Sequence, residues 1–337
     1  MSSAPTTDQI ACDATWLVQA LDPSAGMVRL VAMDRESYRA ASFLDDRLLQ
    51  RPVDAQIVTW PEMEAAVADD ARSDARWIFH IGHVGSTLVS RLLGEIEGVL
   101  AIREPRLLRD LAASSAEVRK SYLGPIARLM SRTFATDEIA CIKATSFASE
   151  IAPFLVPPSE RALFMYAPPR NYVASILAGE NSLIELRSLA QFREQRLAGR
   201  GIHFPSPRND ADLAATAWAC EMATLEAAAE AMSDRQIAWA DFDTMLGNMA
   251  SELGRMASFF GFAVSKNRLA AIVSGPLMQR YSKDPSYEYS PRLREDLIAQ
   301  EMRLQGREIE AALAMLRQAS EKAPLLQRAL HRSTTDY

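Results

Sequence analysis

The chain of 337 residues contains 48% hydrophobic and 24% charged residues, the balance of a globular protein rather than of a disordered or collagen-like chain. A net charge of −6 argues against general binding of nucleic acid. No apolar run reaches the roughly 18–20 residues of a membrane helix, and residues 1–9 lack the pattern of a secretory signal, so we expect a cytoplasmic protein with no membrane partner.

Residues 1–72 are predicted to form a small α/β appendage, and residues 73–337 the main domain. Short apolar runs at 28–33 and 56–60 are typical of strands, and helical patterns follow them at 36–49 and 61–71. Pro61 suits the start of the second helix, because its φ is fixed and it has no N–H to leave unpaired. The polar segment 69–74 is the predicted joint.

The segment after Arg76 has the strand–loop–helix order that opens a βαβ unit. A continuous apolar run at 77–81 is followed by loop 82–87 and then by a helical pattern. Further strands are predicted at 99–102, 138–144, 161–166 and 236–240, and long helices at 211–232 and 292–319. This alternation predicts a three-layer α/β/α fold with a mostly parallel central sheet, in which 77–81, 138–144 and 161–166 are neighbouring central strands.

Loop 82–87 is the strongest candidate binding element of the sequence. Ligands of open α/β sheets bind beyond the carboxyl ends of the strands, where this loop is expected. Gly82 and Gly85 let the backbone approach an anion closely, while Ser86 and Thr87 add hydroxyl donors at a helix N-terminus. The alternative is an ordinary tight turn capped by Ser86. The loop is not a Walker A sequence, because no lysine follows Gly85.

These residues resemble the donor-binding loop of the sulfotransferases, a P-loop-like family whose sulfate donor is 3′-phosphoadenosine 5′-phosphosulfate (PAPS). The family's loop reads roughly Lys/Arg-Ser-Gly-Thr/Ser-Thr, and the stretch here is His83-Val84-Gly85-Ser86-Thr87. Arg103-Glu104-Pro105 is similar to a segment of the tyrosylprotein and related sulfotransferases in which the glutamate is the general base. Lys143, in the sequence IKATS, is similar to the family's strand-end lysine near the transferred sulfuryl group.

The resemblance covers roughly residues 76–290 and leaves residues 1–72 outside it. The sequence Asn171-Tyr172-Val173-Ala174-Ser175 looks like the start of the helix whose serine helps to hold the donor's 3′-phosphate. The resemblance therefore implies that Ser175 lies near the N-terminus of a helix starting at about Pro169. Residues 239–243 and 259–262 are similar to the family's late strand–helix signature. The family's arginine eight residues before the serine is Ala167 here, so Arg170, Arg280 or Lys283 must replace it if the site is retained.

The implied catalytic residues are Glu104, Lys143 and His83. The implied donor-binding residues are Gly82, His83, Val84, Gly85, Ser86, Thr87, Arg170, Ser175 and Lys283. Each has a structural alternative. Glu104, whose backbone is expected to be extended because Pro105 follows it, could instead be a surface or helix-capping carboxylate. Lys143 could extend its charge to water at the sheet rim, His83 could only fill its turn, and loop 281–289 could be an ordinary solvated loop instead of one that closes over donor and acceptor.

The leading functional hypothesis is a PAPS-dependent sulfotransferase that acts on a hydroxyl or amine of an unknown small-molecule or peptide acceptor. The alternatives are a kinase-like phosphotransferase and a degenerate relative that binds a nucleotide or partner without catalysis. No metal site is expected, because the four histidines lack metal-ligand spacing, and His80 is interpreted as a satisfied core residue. The three cysteines, Cys12, Cys141 and Cys220, are expected to be structural thiols. The sequence leaves open whether the protein forms a homo-oligomer.

Overall fold

The computed structural model describes residues 5–68, 71–280 and 290–335, which form two β-sheets with surrounding helices. The strands are β1 (Trp16–Asp22), β2 (Met27–Ala32), β3 (Ala55–Thr59), β4 (Arg76–His80), β5 (Val99–Arg103), β6 (Ile139–Lys143), β7 (Arg161–Tyr166) and β8 (Gln236–Asp241). Strands β4 to β8 form a five-stranded parallel sheet in the order β5-β6-β4-β7-β8. The predicted α/β fold with β4, β6 and β7 as neighbouring central strands is confirmed.

Helices occupy most of the connections between the strands. They are α1 (Thr7–Cys12), α2 (Arg35–Ala40), α3 (Trp60–Ala65), α4 (Ser86–Leu93), α5 (Arg106–Ala113), α6 (Ala116–Met130), α7 (Ala152–Leu155), α8 (Pro169–Leu177), α9 (Glu180–Ser188), α10 (Ala190–Ala198), α11 (Asp210–Ala231), α12 (Phe242–Gly247), α13 (Met249–Phe260), α14 (Lys266–Val273), α15 (Pro291–Leu304), α16 (Gly306–Ser320) and α17 (Pro324–Thr335). Short 3-10 helices span Asp46–Gln50, Ser146–Ile151 and Pro276–Met278. None of the described helices combines the length and the apolar character that crossing a membrane requires.

Strand order and connection handedness place helices on both faces of the parallel sheet. The chain moves in one direction across the sheet from β4 to β5, and in the opposite direction through β6, β7 and β8. Because parallel crossovers are right-handed, α4 lies on one face, while α5, α6, α7 and α11 lie on the other. The central strands are therefore buried on both sides, and Trp77, Ile142 and Phe164 are fully inaccessible to solvent.

The N-terminal segment forms a second, antiparallel sheet in the order β1-β2-β3. It packs against α5, where the Leu21 amide donates to Asp110 Oδ2 (3.0 Å). Arg132, which follows α6, also donates to the Trp16 carbonyl (2.8 Å). The segment shares one continuous hydrophobic core with the parallel sheet. Its division from the rest of the chain at residue 72 stays a prediction.

Three predicted helices differ from the structure. The helix expected at 36–49 is α2 followed by a separate 3-10 helix, because the chain turns inward and the Leu44 amide donates to the Arg103 carbonyl (2.8 Å). The helix expected at 61–71 is shorter and ends at Ala65. The helix expected at 292–319 is broken between α15 and α16, where Gln305 leaves the helical conformation at φ −125° and ψ 23°.

Candidate active site

Loop 82–87 follows β4 at the carboxyl edge of the sheet, as the sequence predicts, and its last two residues, Ser86 and Thr87, already belong to α4. Three of its residues have positive φ, namely Gly82 (81°), His83 (55°) and Gly85 (62°). Gly85 is the N-cap of α4, and no side chain caps that helix. The first amides of α4 therefore face the end of the sheet without a side-chain acceptor, which is the arrangement of an anion-binding helix N-terminus.

The His80 side chain fixes the start of this loop through hydrogen bonds. Its Nδ1 accepts a hydrogen bond from the Gly82 amide (2.9 Å), so the ring proton is on Nε2, which lies 2.9 Å from the Ala144 carbonyl oxygen. The ring is buried, in agreement with the interpretation of His80 as a satisfied core histidine. Nε2 also lies 3.9 Å from Glu104 Oε1, so His80 belongs to the surroundings of the site as well.

The register of two neighbouring strands brings Glu104 and Lys143 together. Arg103 pairs with Lys143 in the ladder between β5 and β6, and the Glu104 amide donates to the Lys143 carbonyl (2.7 Å). The Lys143 ammonium forms a salt bridge with Glu104 Oε1. The lysine side chain is 1% exposed and the glutamate 15%, so this ion pair is largely removed from water.

The expected extended backbone at Glu104 is wrong, because its φ is 52°. A positive φ costs energy in a residue with a Cβ, so the surroundings must hold it in place. Those restraints are the hydrogen bond from the Glu104 amide to the Lys143 carbonyl, the salt bridge to the Lys143 ammonium, and the preceding buried Arg103. Arg103 donates to the carbonyls of Tyr38 and Ala41, and burial lowers its pKa to about 9, so it stays charged at neutral pH.

One cavity of about 670 Å³ brings most of the predicted site residues together. Its lining includes Gly82, His83, Gly85, Ser86 and Thr87 of the loop. It also includes Glu104, Lys143 and Ser175. His83 lies across from α9, where its Nδ1 is 3.4 Å from Ser182 Oγ and its Nε2 is 3.8 Å from Glu185 Oε2.

Several predicted donor-binding residues lie elsewhere. Val84 is buried in the core, and Arg170 forms an ion pair with Glu310 on α16; neither lines the cavity. Ser175 lines the cavity, but it lies in the last turn of α8 and donates to the Tyr172 carbonyl (2.9 Å). The expectation of Ser175 at the N-terminus of that helix is therefore wrong. Lys283 lies outside the described residues.

Two observations show that the end of the cavity at loop 82–87 fits an anionic ligand. Thr87 Oγ1 is buried and has no hydrogen-bond partner among the described residues, although Thr87 lines the cavity. Buried hydroxyls in proteins are normally paired, so this oxygen needs a partner that the cavity can supply. The uncapped amides of α4 lie beside it. A phosphate or sulfate group would satisfy both the hydroxyl and the amides.

The cavity lining also includes Phe43, Arg47 and Arg294, which sequence reasoning did not place in the site. Phe43 and Arg47 belong to the N-terminal segment that the resemblance leaves outside. Arg294, on α15, donates through Nε to Asp243 Oδ1 (3.0 Å) and lies over the Phe242 ring at 5.2 Å. The signal for Arg294 was its position after loop 281–289, but nothing in an amphipathic helical pattern distinguishes it from a solvated charge.

In the described part of the chain, no group of three or more His, Cys, Asp or Glu side chains is placed to hold a metal ion. Cys141 and Cys220 are buried, and burial raises the pKa of each thiol to about 12. Both are therefore protonated at neutral pH, as expected of structural thiols. Cys12 is exposed.

Comparisons with known proteins give partial structural similarities. No protein-family model and no curated protein matches the chain. The sulfotransferase domain from the curacin biosynthetic pathway is similar at 11% identity, with 67% of this chain and 87% of that chain covered and a TM-score of 0.39. The sulfotransferase domain from the Synechococcus PCC 7002 olefin synthase is similar at 13% identity, with 67% and 93% covered and a TM-score of 0.37. Similarity at this level carries no argument about function, which depends on the site itself.

Proposed function

We propose that the chain is a sulfotransferase that moves a sulfuryl group from PAPS to a hydroxyl or amine acceptor. The observation that carries this proposal is the meeting of the Glu104–Lys143 ion pair with loop 82–87 in one cavity. A carboxylate able to accept a proton then lies beside a buried cation and an anion-binding loop. These are the groups that transfer of an anionic group to a hydroxyl requires.

Each residue has a definite task in the proposed reaction. PAPS would supply an activated sulfuryl group, which passes to the acceptor as its bond to the donor's phosphate breaks. Glu104 accepts the acceptor's proton, and Lys143 both orients that carboxylate and places positive charge at the transfer point. The α4 amides and the Thr87 hydroxyl bind the phosphate and its developing charge.

The 3′-phosphate of the donor requires a cation that the family's motif does not provide here, because Ala167 replaces the arginine. Arg170 is paired with Glu310 away from the cavity, which leaves it poorly placed for this task. Arg294 lines the cavity on α15, the helix that packs against α8, and α8 carries Ser175. We assign the 3′-phosphate contact to Arg294 as part of this proposal.

Isothermal titration with the desulfated product, 3′-phosphoadenosine 5′-phosphate, tests the proposal. We expect it to bind, AMP to bind more weakly because it lacks the 3′-phosphate, and Arg294→Ala to remove that difference. Thr87→Val should weaken binding by about 10- to 150-fold, since a hydrogen bond to a charged group contributes about 1.5–3 kcal/mol.

The matched control is Ser90→Ala on the same helix. Its hydroxyl is also buried without a partner among the described residues, but Ser90 does not line the cavity, so its loss should leave affinity unchanged. Equal binding of the product and AMP to the wild type would contradict a 3′-phosphate site. Tight binding of ATP with Mg²⁺ in their place would favour a kinase-like phosphotransferase.

A further inference from the structure

The N-terminal segment forms a wall of the candidate active site. Phe43 and Arg47 line the cavity together with Glu104 and Lys143, although they lie far from them in sequence. The Arg47 guanidinium stacks on the Phe43 ring at 3.3 Å, and the Lys143 ammonium lies 5.8 Å from the same ring. This wall is therefore built around the proposed base.

Buried hydrogen bonds fix the position of this wall. The Leu44 amide donates to the Arg103 carbonyl (2.8 Å), and Gln19 Nε2 donates to the Leu44 carbonyl (3.2 Å). In the other direction, Arg103 Nε donates to the Ala41 carbonyl (2.9 Å). Because Arg103 directly precedes Glu104, the wall and the base are held by the same buried residue.

The two oxygens of Glu104 have different surroundings. Oε1 accepts from Lys143 and lies 3.9 Å from His80 Nε2. Oε2 lies 3.8 Å from Arg47 Nη2, which is longer than the usual 2.7–3.2 Å of a hydrogen bond. An acceptor hydroxyl that gives its proton to Glu104 therefore approaches Oε2, and its neighbouring atoms meet Arg47.

Arg47 has donors left for such a ligand. Its Nε and Nη2 donate hydrogen bonds to the carboxylate of Asp45, whereas Nη1 makes no hydrogen bond within the described residues. The side chain is 47% exposed, yet stacking on Phe43 restricts its orientation. A guanidinium fixed in this way binds a planar carboxylate well, because its donors lie in one plane.

We infer that Arg47 contacts the acceptor and selects molecules that carry a carboxylate close to the reacting hydroxyl. This inference rests on the proposed function for the identity of the base, and it adds the chemical class of the acceptor. The test compares 3-hydroxybenzoate with 3-hydroxybenzamide, which share the ring and the hydroxyl but differ in charge. Their dissociation constants are measured by ligand-observed NMR with and without 3′-phosphoadenosine 5′-phosphate.

The wild type should bind the benzoate about tenfold more tightly than the benzamide, the effect of one charge-assisted contact. Arg47→Gln should abolish this preference, and Arg51→Gln should keep it, because Arg51 is an exposed arginine on the same segment that does not line the cavity. The absence of a preference in the wild type, including absence of binding, or its survival in Arg47→Gln, overturns the inference. A preference that depends on Arg47 in a protein that does not bind the nucleotide would uphold the acceptor subsite and reject the sulfotransferase.

Discussion

Gly85 meets two constraints that a larger residue cannot meet together. Its φ is 62°, and a Cβ placed there would lie 2.0 Å from the Phe242 ring. The close approach brings the end of β8 against the start of α4, so that Phe242 closes one side of the cavity. The glycine thus shapes this end of the cavity through packing as well as through backbone conformation.

Gly85→Ala should reduce both stability and binding of 3′-phosphoadenosine 5′-phosphate, because either the loop or Phe242 must move. Gly26→Ala is the matched control, since its φ is 61° but nothing lies within 4 Å of the added Cβ. We expect it to cost about 1 kcal/mol of unfolding free energy and to leave binding unchanged. Thermal denaturation and calorimetry measure the two effects, and equal losses in the two variants would contradict this account of Gly85.

Loop 82–87 was identified from its residues, because a glycine loop between a strand and a helix is a local signal. Glu104 and Lys143 were identified through the resemblance to the sulfotransferase motifs. The conformation of Glu104 was not accessible from sequence. The following proline favours an extended backbone, but the hydrogen bond from the Glu104 amide to the Lys143 carbonyl, which forms only in the folded protein, overrides that preference. Arg47 was also missed, because only folding brings its segment to the cavity.

At the scale of elements, helices α10 and α11 are joined by a buried ion pair. Arg193 Nε lies 3.3 Å from Glu221 Oε1, and the side chains are 6% and 2% exposed. Burial raises the pKa of the Glu221 carboxyl. Arg193 Nη1 and Glu221 Oε2 have no hydrogen-bond partner within the described residues, so the pair is only partly satisfied.

Glu221→Leu should lower the free energy of unfolding by about 3–5 kcal/mol, because it leaves an unpaired buried guanidinium. The double variant Arg193→Met/Glu221→Leu should lose less than this single variant, since no charge remains buried. Arg187→Ala, which removes an exposed pair with Asp210, is the control and should cost at most about 1 kcal/mol. Urea denaturation gives all three values, and a double variant as unstable as the single one would contradict this explanation.

The elements themselves were predictable where their pattern is local. The parallel strands are continuous apolar runs and were found from them. Strand β1 was missed although the buried residues of Trp16–Asp22 form a similar run. The run is interrupted only by Gln19, whose side-chain amide donates a hydrogen bond to the Leu44 carbonyl. The break between α15 and α16 was missed because the amphipathic pattern continues through Gln305.

At the scale of the whole molecule, the cavity lies where three parts of the chain meet. The parallel sheet supplies Glu104 and Lys143, the N-terminal segment supplies Phe43 and Arg47, and α15 supplies Arg294. The resemblance to sulfotransferases covered only the first of these parts in full. The walls formed by the N-terminal segment and α15 were therefore the least predictable portion of the cavity.

A larger cavity of about 890 Å³ lies beside the edge strand β5 and provides a competing location for a ligand. Its arginines are engaged with protein groups. Arg35 pairs with Glu138, Arg39 with Glu95, and Arg268 with the Glu95 carbonyl. None of the groups proposed for catalysis lines it.

A crystal structure with 3′-phosphoadenosine 5′-phosphate tests the central claim most directly. The account predicts the 5′-phosphate on the α4 amides and the Thr87 hydroxyl, and the 3′-phosphate within hydrogen-bonding distance of Arg294. Glu104 and Lys143 should face the open side of the 5′-phosphate, where the sulfuryl group of the donor would be. A nucleotide bound in the cavity beside β5, or one whose 5′-phosphate points away from Glu104 and Lys143, would contradict sulfuryl transfer at this site.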